Sequence, residues 1–118
     1  MEVKMAEQIE SILDSVKKVI GPSASYEVFD PDLIMHVNTL FFTLYQLGVT
    51  EEPFVITGNE ETWEDFHSGS DLEAVKTYVC LKTRMYFDPP TNSALISTIN
   101  EQIKELEIRL NYEVDPKN

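Results

Sequence analysis

Apolar residues recur at spacings of three and four along much of the chain, the period expected of helices with one buried face. The first such stretch covers residues 7–20 and stops at Gly21-Pro22, where glycine suits a left-handed cap and proline cannot continue a helix. The second covers residues 30–47, opens on an aspartate that can cap and stops at Gly48. The pattern therefore predicts two helices in the first half of the chain.

Two more helices are predicted in the second half. Ser70-Asp71-Leu72-Glu73 has the form of a capping box, and the helix it opens runs to about residue 87, burying Tyr86 with its other apolar residues and leaving Cys80 on the polar side. Prolines at 89 and 90 end it. The last helix, residues 93–112, carries a narrow apolar seam typical of packing along one partner, and residues 113–118 are predicted to be a flexible tail.

The second helix is apolar almost all round, with only a narrow polar stripe. A helix of this kind is either central in its domain or partly covered by a neighbouring subunit, and in a chain of this length we expect both. The neighbouring loop is expected to share the contact. The candidate subunit-interface residues are Met35, Phe42, Tyr45 and Phe54.

The connection between the second and third helices, about residues 49–69, is long for a link between helices. Phe54-Val55-Ile56-Thr57 is typical of a short strand and Gly58-Asn59 of a turn, so the loop could include a short β-hairpin. Trp63 and Phe66 predict a single helical turn on the core. The expected fold is mainly α: one four-helix bundle-like domain over residues 1–118 with a long, partly ordered loop.

Charge is distributed very unevenly along the 118 residues. The chain has 21 acidic and 9 basic residues, and no lysine or arginine lies between Val19 and Val75, a segment with eleven acids. A basic nucleic-acid footprint is therefore missing. No apolar run approaches the roughly 18 residues of a membrane span, and a single cysteine cannot form an internal disulfide. We expect a soluble protein of a reducing compartment.

No group of residues indicates catalysis or a bound cofactor. Glu64 and His67 have the spacing of half a carboxylate-bridged metal site, but a second such motif is missing from the sequence, so an exposed loop pair is the preferred interpretation. Asp32 and His36 share a helix face, which favours a solvated or hydrogen-bonded pair. Cys80 has no basic activator in the pattern and is interpreted as a small surface or interface residue. The prediction is a protein without enzymatic activity, metal or cofactor.

Six segments in order resemble the small head–tail connector (adaptor, or head-completion) proteins of phages with long non-contractile tails. They are FDPDLIMHVN at residues 29–38, LYQLGV at 44–49, TWEDF at 62–66, LEAVKTYVCLK at 72–82, FDPP at 87–90 and LEIRLN at 106–111. The resemblance as a whole extends over roughly residues 9 to 112. The resemblance implies a helical subunit that assembles, typically about twelve together, into a ring beneath the portal through which DNA passes.

The same resemblance implies a place and partners. The protein would lie in the neck of the virion, and in the host cytoplasm during assembly, with the portal on one side and a stopper or tail-completion protein on the other. By analogy with relatives, Ile108, Tyr112 and Val114 are the candidate portal-docking residues. The candidate channel-facing acids, which would let DNA slide without binding, are Glu51, Glu52, Glu60 and Glu61.

Three other classes of function remain open from the sequence. Within the phage setting, the alternative is a stopper or tail-completion protein. Outside it, an acidic decoy or inhibitor of a DNA-binding protein would explain the charge but not the apolar second helix. A small enzyme is a third class, for which the sequence offers no set of residues to test.

Overall fold

Helices make up most of the structure, a computed structural model that describes the backbone of residues 10–114 and the side chains of residues 10–111. The α-helices in this part of the chain are α1 (Ile12–Ile20), α2 (Asp30–Gln46), α3 (Trp63–Phe66), α4 (Leu72–Phe87) and α5 (Ser93–Val114). Two short 3₁₀ turns, Pro22–Ala24 and Glu27–Phe29, connect α1 to α2. The prediction of a mainly helical fold is confirmed.

The first helix begins later than its apolar pattern suggested. Ser11 is the N-cap of α1, and its hydroxyl accepts a hydrogen bond from the backbone N–H of Asp14. Residues 10 and 11 are not helical, so the prediction of one continuous helix over residues 7–20 is wrong at these two positions, and residues 1–9 lie outside the described part of the chain. The predicted end is confirmed: Gly21 has a φ of +104°, and its N–H donates to the carbonyl of Lys17 at 2.9 Å.

The boundaries of α2 agree with the sequence, but the role of its first residue differs. Asp30 is the first helical residue rather than the cap, and its carboxylate accepts a hydrogen bond from Lys17 Nζ at 2.7 Å. This ion pair ties the start of α2 to the end of α1. At the other end Gly48 takes a φ of +88°, a left-handed conformation that glycine adopts without steric cost.

The predicted capping box at the start of α4 is not formed. Asp71 is the N-cap and makes no side-chain capping bond, because its carboxylate contacts His67 Nε2 at 2.6 Å instead. A capping box does form one helix earlier, where the Thr62 and Asp65 side chains bond each other's backbone N–H groups. The box fixes α3, the single turn that was predicted at Trp63 and Phe66.

α4 is the central helix, because α1, α2 and α5 all pack against it. Its Val75, Val79 and Thr83 are fully buried, and Cys80 is buried as well. The expectation that Cys80 lies on a polar surface is therefore wrong. Sequence periodicity assumes one buried face, whereas a helix covered from three directions also buries positions that a single-face pattern leaves to solvent.

The last helix has the predicted seam. Ile99, Ile103 and Leu110 of α5 are buried, and Arg109 pairs with Glu105 at 3.2 Å on the exposed side. The helix continues to Val114, so the first two residues of the predicted tail are helical, and residues 115–118 lie outside the described residues. None of the described helices is both long and apolar enough to cross a membrane.

Candidate assembly interface

The outer face of α2 carries large apolar side chains that no described residue of the subunit covers. Met35 is 63% exposed and Phe42 is 52% exposed. They are seven residues apart, so they lie on the same side of the helix, opposite the buried Val37 and Leu44. Val28, in the 3₁₀ turn that leads into α2, is more exposed still. We call Val28, Met35 and Phe42 the outer stripe of α2.

The four residues predicted for a subunit interface divide into two groups. Met35 and Phe42 are exposed, and Tyr45 is half-buried with its ring 6.3 Å from the ring of Phe42. Phe54 instead packs on the core, with its ring centroid 5.8 Å from that of Phe41. Periodicity cannot separate these cases because Phe54 lies outside the helix.

Sequence reasoning missed Tyr86 as a surface residue. Its side chain is 68% exposed rather than buried, and its ring stacks on that of His36 at 4.0 Å with an interplanar angle of 8°. Burial and the nearby Lys82 lower the pKa of His36, which keeps the imidazole neutral at neutral pH. His36 therefore contacts an aromatic ring on α4 rather than forming the solvated pair expected with Asp32.

One side chain of α2 bonds the backbone of the loop that follows the helix. The amide of Asn38 bonds both backbone groups of Ile56: Nδ2 donates to the carbonyl at 3.0 Å, and Oδ1 accepts from the N–H at 2.8 Å. Ile56 is fully buried, whereas Val55 beside it is exposed. The predicted strand at residues 54–57 is wrong, because a side-chain amide supplies the partner that a second strand would provide. The described residues form no β-hairpin, only an isolated antiparallel bridge between Ser11 and Thr62.

The four predicted channel-facing acids also differ from one another. Glu51, Glu52 and Glu60 are exposed, but Glu61 is bonded within the loop. One of its carboxylate oxygens accepts hydrogen bonds from the N–H of Thr57 at 3.0 Å and from the Thr57 hydroxyl at 2.9 Å. Burial acts to raise the pKa of Glu61, but hydrogen bonds from the backbone and from Thr57 outweigh it and lower the pKa. Glu61 thus closes a turn, which we call the Thr57–Glu61 clasp.

A groove of about 680 Å³ lies between residues 48–54 and residues 64–71. Its wall includes the contact between His67 and Asp71, and a Cβ atom at Gly69 would lie 2.7 Å from His67 Nε2. Any larger residue at position 69 would therefore displace this pair. Glu64 is exposed near the groove, and no group of three potential metal ligands occurs among the described residues.

A large exposed apolar side chain also lies on the C-terminal helix, away from α2. Ile108 is 62% exposed on the side of α5 away from its buried seam. Lys104, one turn earlier, is exposed and makes no ion pair with any described residue. The side chains of Tyr112 and Val114 lie outside the described part of the chain, so their predicted role remains a prediction.

Two ionisable side chains of α4, Tyr78 and Cys80, are buried and stay in their neutral forms. Burial raises the pKa of the Cys80 thiol to about 12, so the reactive thiolate is scarce at neutral pH. Burial and the Glu107 carboxylate raise the pKa of Tyr78 to about 12, and its hydroxyl donates to that carboxylate at 3.1 Å. Both groups therefore act as packing and linking residues between helices.

Comparison with known proteins identifies the family. The profile of the family described as "Phage connector protein" matches residues 12–117, nearly the whole chain. No curated protein and no solved structure matches the chain. The matched range includes the five described α-helices, the long loop, the outer stripe of α2 and the exposed Ile108. The chain therefore belongs to the phage connector protein family, the structural proteins of the head–tail junction in the virion neck.

Proposed function

We propose that this protein is an adaptor subunit that forms a ring beneath the portal, joins the DNA-filled head to the tail and lets DNA pass. The observation that carries the proposal is the outer stripe of α2. A small subunit that leaves Met35 and Phe42 more than half exposed carries a surface suited to a protein partner. Family membership gives the setting in which that partner is found.

Assembly on the portal is the direct test. A single small interface barely offsets the loss of translational freedom, so the free protein is expected to be monomeric and to form the ring on the portal. The mass of the protein should be measured with and without purified portal. Phe42→Ser, which removes an exposed apolar side chain, should weaken assembly, whereas Gln46→Ser on the same exposed side should not. A wild-type protein that stays monomeric and unbound beside portal refutes the proposal.

The C-terminal end of α5 is proposed as the portal-docking element. Leu110 is the last buried residue of the seam, and the helix continues beyond it through Tyr112 to Val114. Deleting residues 111–118 removes none of the buried residues described above. We expect the truncated protein to keep its helical content and unfolding midpoint while losing portal binding. Unchanged portal binding by a folded truncated protein contradicts this role.

The exposed acids of the loop are proposed to face the channel. About twelve copies of Glu51, Glu52 and Glu60 would place tens of carboxylates around the passing duplex. At physiological salt such repulsion is screened within about 8–10 Å, so it acts only at close range and prevents adhesion without reading any sequence. Glu61 belongs to this set by sequence, but its carboxylate is taken up by the Thr57–Glu61 clasp.

Charge reversal tests this placement. A triple variant with lysine at positions 51, 52 and 60 leaves the clasp intact, so the ring is expected to form normally. DNA release from assembled particles should slow, most visibly at low salt, because lysines attract phosphates. The matched control replaces the exposed acids Asp14, Glu73 and Asp88 with lysine, which makes the same change in net charge outside the loop. Normal ejection by the loop variant would place these acids on the outside of the ring.

A further inference from the structure

The uncovered outer stripe of α2 raises the question of which surface covers it in the assembled protein. This question rests on the proposed ring, in which each subunit must meet the next. Two arrangements exist: the stripe meets the same stripe of a second copy, or it meets a different surface of that copy. The charges on the chain distinguish between them.

Pairing of the stripe with itself is opposed by charge. The stripe lies within a segment, residues 20–74, that has eleven acids and no lysine or arginine. Asp32 is exposed in the turn between Val28 and Met35. A two-fold contact would therefore set the acids of one copy against those of the other, and the bases nearest α2, Lys17 and Lys82, are already paired with Asp30 and Glu107. The covering surface must instead bring a base.

The covering surface must combine an exposed apolar residue with a lysine or arginine beside it, and few places on the described surface do so. Outside residues 20–74, the large apolar side chains that are exposed in the described structure are Val19, Tyr86, Leu95 and Ile108. Tyr86 stacks on His36 and so belongs to the side of α2 itself. Val19 and Leu95 are exposed by only about two-fifths, whereas Ile108 is 62% exposed. Lys104 lies one turn before Ile108 on the same side of α5 and makes no ion pair with a described residue.

We propose that the outer stripe of α2 in one subunit packs against the Lys104–Ile108 face of α5 in the next. Met35 would meet Ile108, and Asp32 would meet Lys104. Each helix packs on α4 by its other side, so both faces are free at once. A contact between two different surfaces is heterologous, and repeating it around an axis closes a ring. Ile108 then belongs to the subunit contact, and the helix beyond Leu110 remains for the portal.

Cross-linking through introduced cysteines tests the pairing. The native Cys80 is buried, so wild-type protein should not react with a short bismaleimide. In the presence of portal, the double variant Met35→Cys, Ile108→Cys should give a ladder of covalent oligomers on denaturing gels. A mixture of the two single variants should give dimers only, and each single variant alone should stay monomeric. Gln102→Cys, exposed on α5 but turned away from the Lys104–Ile108 face, replaces Ile108→Cys in the matched control and should give no ladder.

Charge exchange provides the second measurement. Asp32→Lys and Lys104→Asp, each added to the double-cysteine protein, should reduce the ladder several-fold because like charges then meet. Combining the two exchanges should restore it. Dimers from Met35→Cys alone would overturn the proposal in favour of two-fold pairing, and a control ladder equal to that of the test pair would also overturn it. Wild-type protein that fails to assemble on portal refutes the adaptor function itself, whereas assembly without this ladder refutes only the pairing.

Discussion

Replacing Phe41 with alanine is expected to lower the free energy of unfolding by about 3–5 kcal/mol, the usual cost of removing a large buried aromatic side chain. Phe41 is fully buried, and its ring stacks on that of Phe66 at 4.0 Å. The rings of Phe54 and Trp63 also meet it, at 5.8 and 6.3 Å. The loss is comparable to the whole stability of many small domains, so the variant should be largely unfolded or close to it at 37 °C.

Phe42 provides the matched control, because it is the next residue of the same helix and is more than half exposed. Phe42→Ala should change the free energy of unfolding by less than about 1 kcal/mol, as is common for surface substitutions. Urea unfolding followed by circular dichroism measures both variants. Equal losses for the two would contradict the assignment of Phe41 to the core and Phe42 to a partner. A large loss of assembly with little loss of stability is expected only for Phe42.

Replacing Asn38 with alanine is expected to release the loop and to cost about 2–4 kcal/mol, since an unpaired buried backbone group costs roughly 1–3 kcal/mol. Both backbone groups of the buried Ile56 bond to this one side chain. Hydrogen exchange at the Ile56 amide should accelerate to the rate of a mobile loop, while amides in α4 keep their protection relative to global stability. Urea unfolding gives the total cost.

Two further substitutions test whether the loss of stability in Asn38→Ala comes from its two hydrogen bonds to Ile56. Asn38→Asp keeps an acceptor for the Ile56 N–H but loses the donor to its carbonyl, so only part of the protection should be lost. Thr39→Ala removes an exposed hydroxyl that bonds the Met35 carbonyl on the same helix, and it should leave exchange at Ile56 unchanged. Full protection of Ile56 in Asn38→Ala would show that packing of the isoleucine side chain, and not the amide, holds the loop.

The helix ends were predictable from the sequence because they depend on local backbone chemistry. Gly21 and Gly48 both adopt positive φ, and α4 ends just before the prolines at 89 and 90. Such signals act within a few residues and do not depend on the rest of the fold. The seam of α5 was predictable for the same reason, since that helix packs mainly on one neighbour.

The wrong predictions involve residues that contact side chains which their own helix or strand pattern does not include. The supposed strand at residues 54–57 is paired by Asn38, eighteen residues before Ile56. The capping box predicted at Ser70 does not form because the N-cap of α4 is Asp71, one residue later, and the Asp71 carboxylate contacts His67 instead of the helix. Tyr86 lies at the surface, where its ring stacks on that of His36 of another helix. Periodicity carries no information about any of these contacts.

The candidate interface was predictable only in part, because exposure depends on what covers each face. An apolar excess on α2 indicated that some of its residues would face a partner, and Met35 and Phe42 do remain uncovered. The sequence did not separate them from Phe54, which the folded loop turns onto the core. Ile108 was predicted by its position off the seam, but the sequence did not show that Lys104, one turn earlier, makes no ion pair with a described residue.

The Thr57–Glu61 clasp has a consequence for how members of such a family can diverge. The bonds from Thr57 to the Glu61 carboxylate fix both ends of the turn, and a side chain added at Gly58 would meet no atom within 4 Å. Residues inserted between Gly58 and Glu60 would lengthen the tip while its base stays closed, and the entropic penalty of a longer loop grows only slowly with length. Evolution can therefore refit the tip to new partners, and an epitope can be grafted there, without altering the helices.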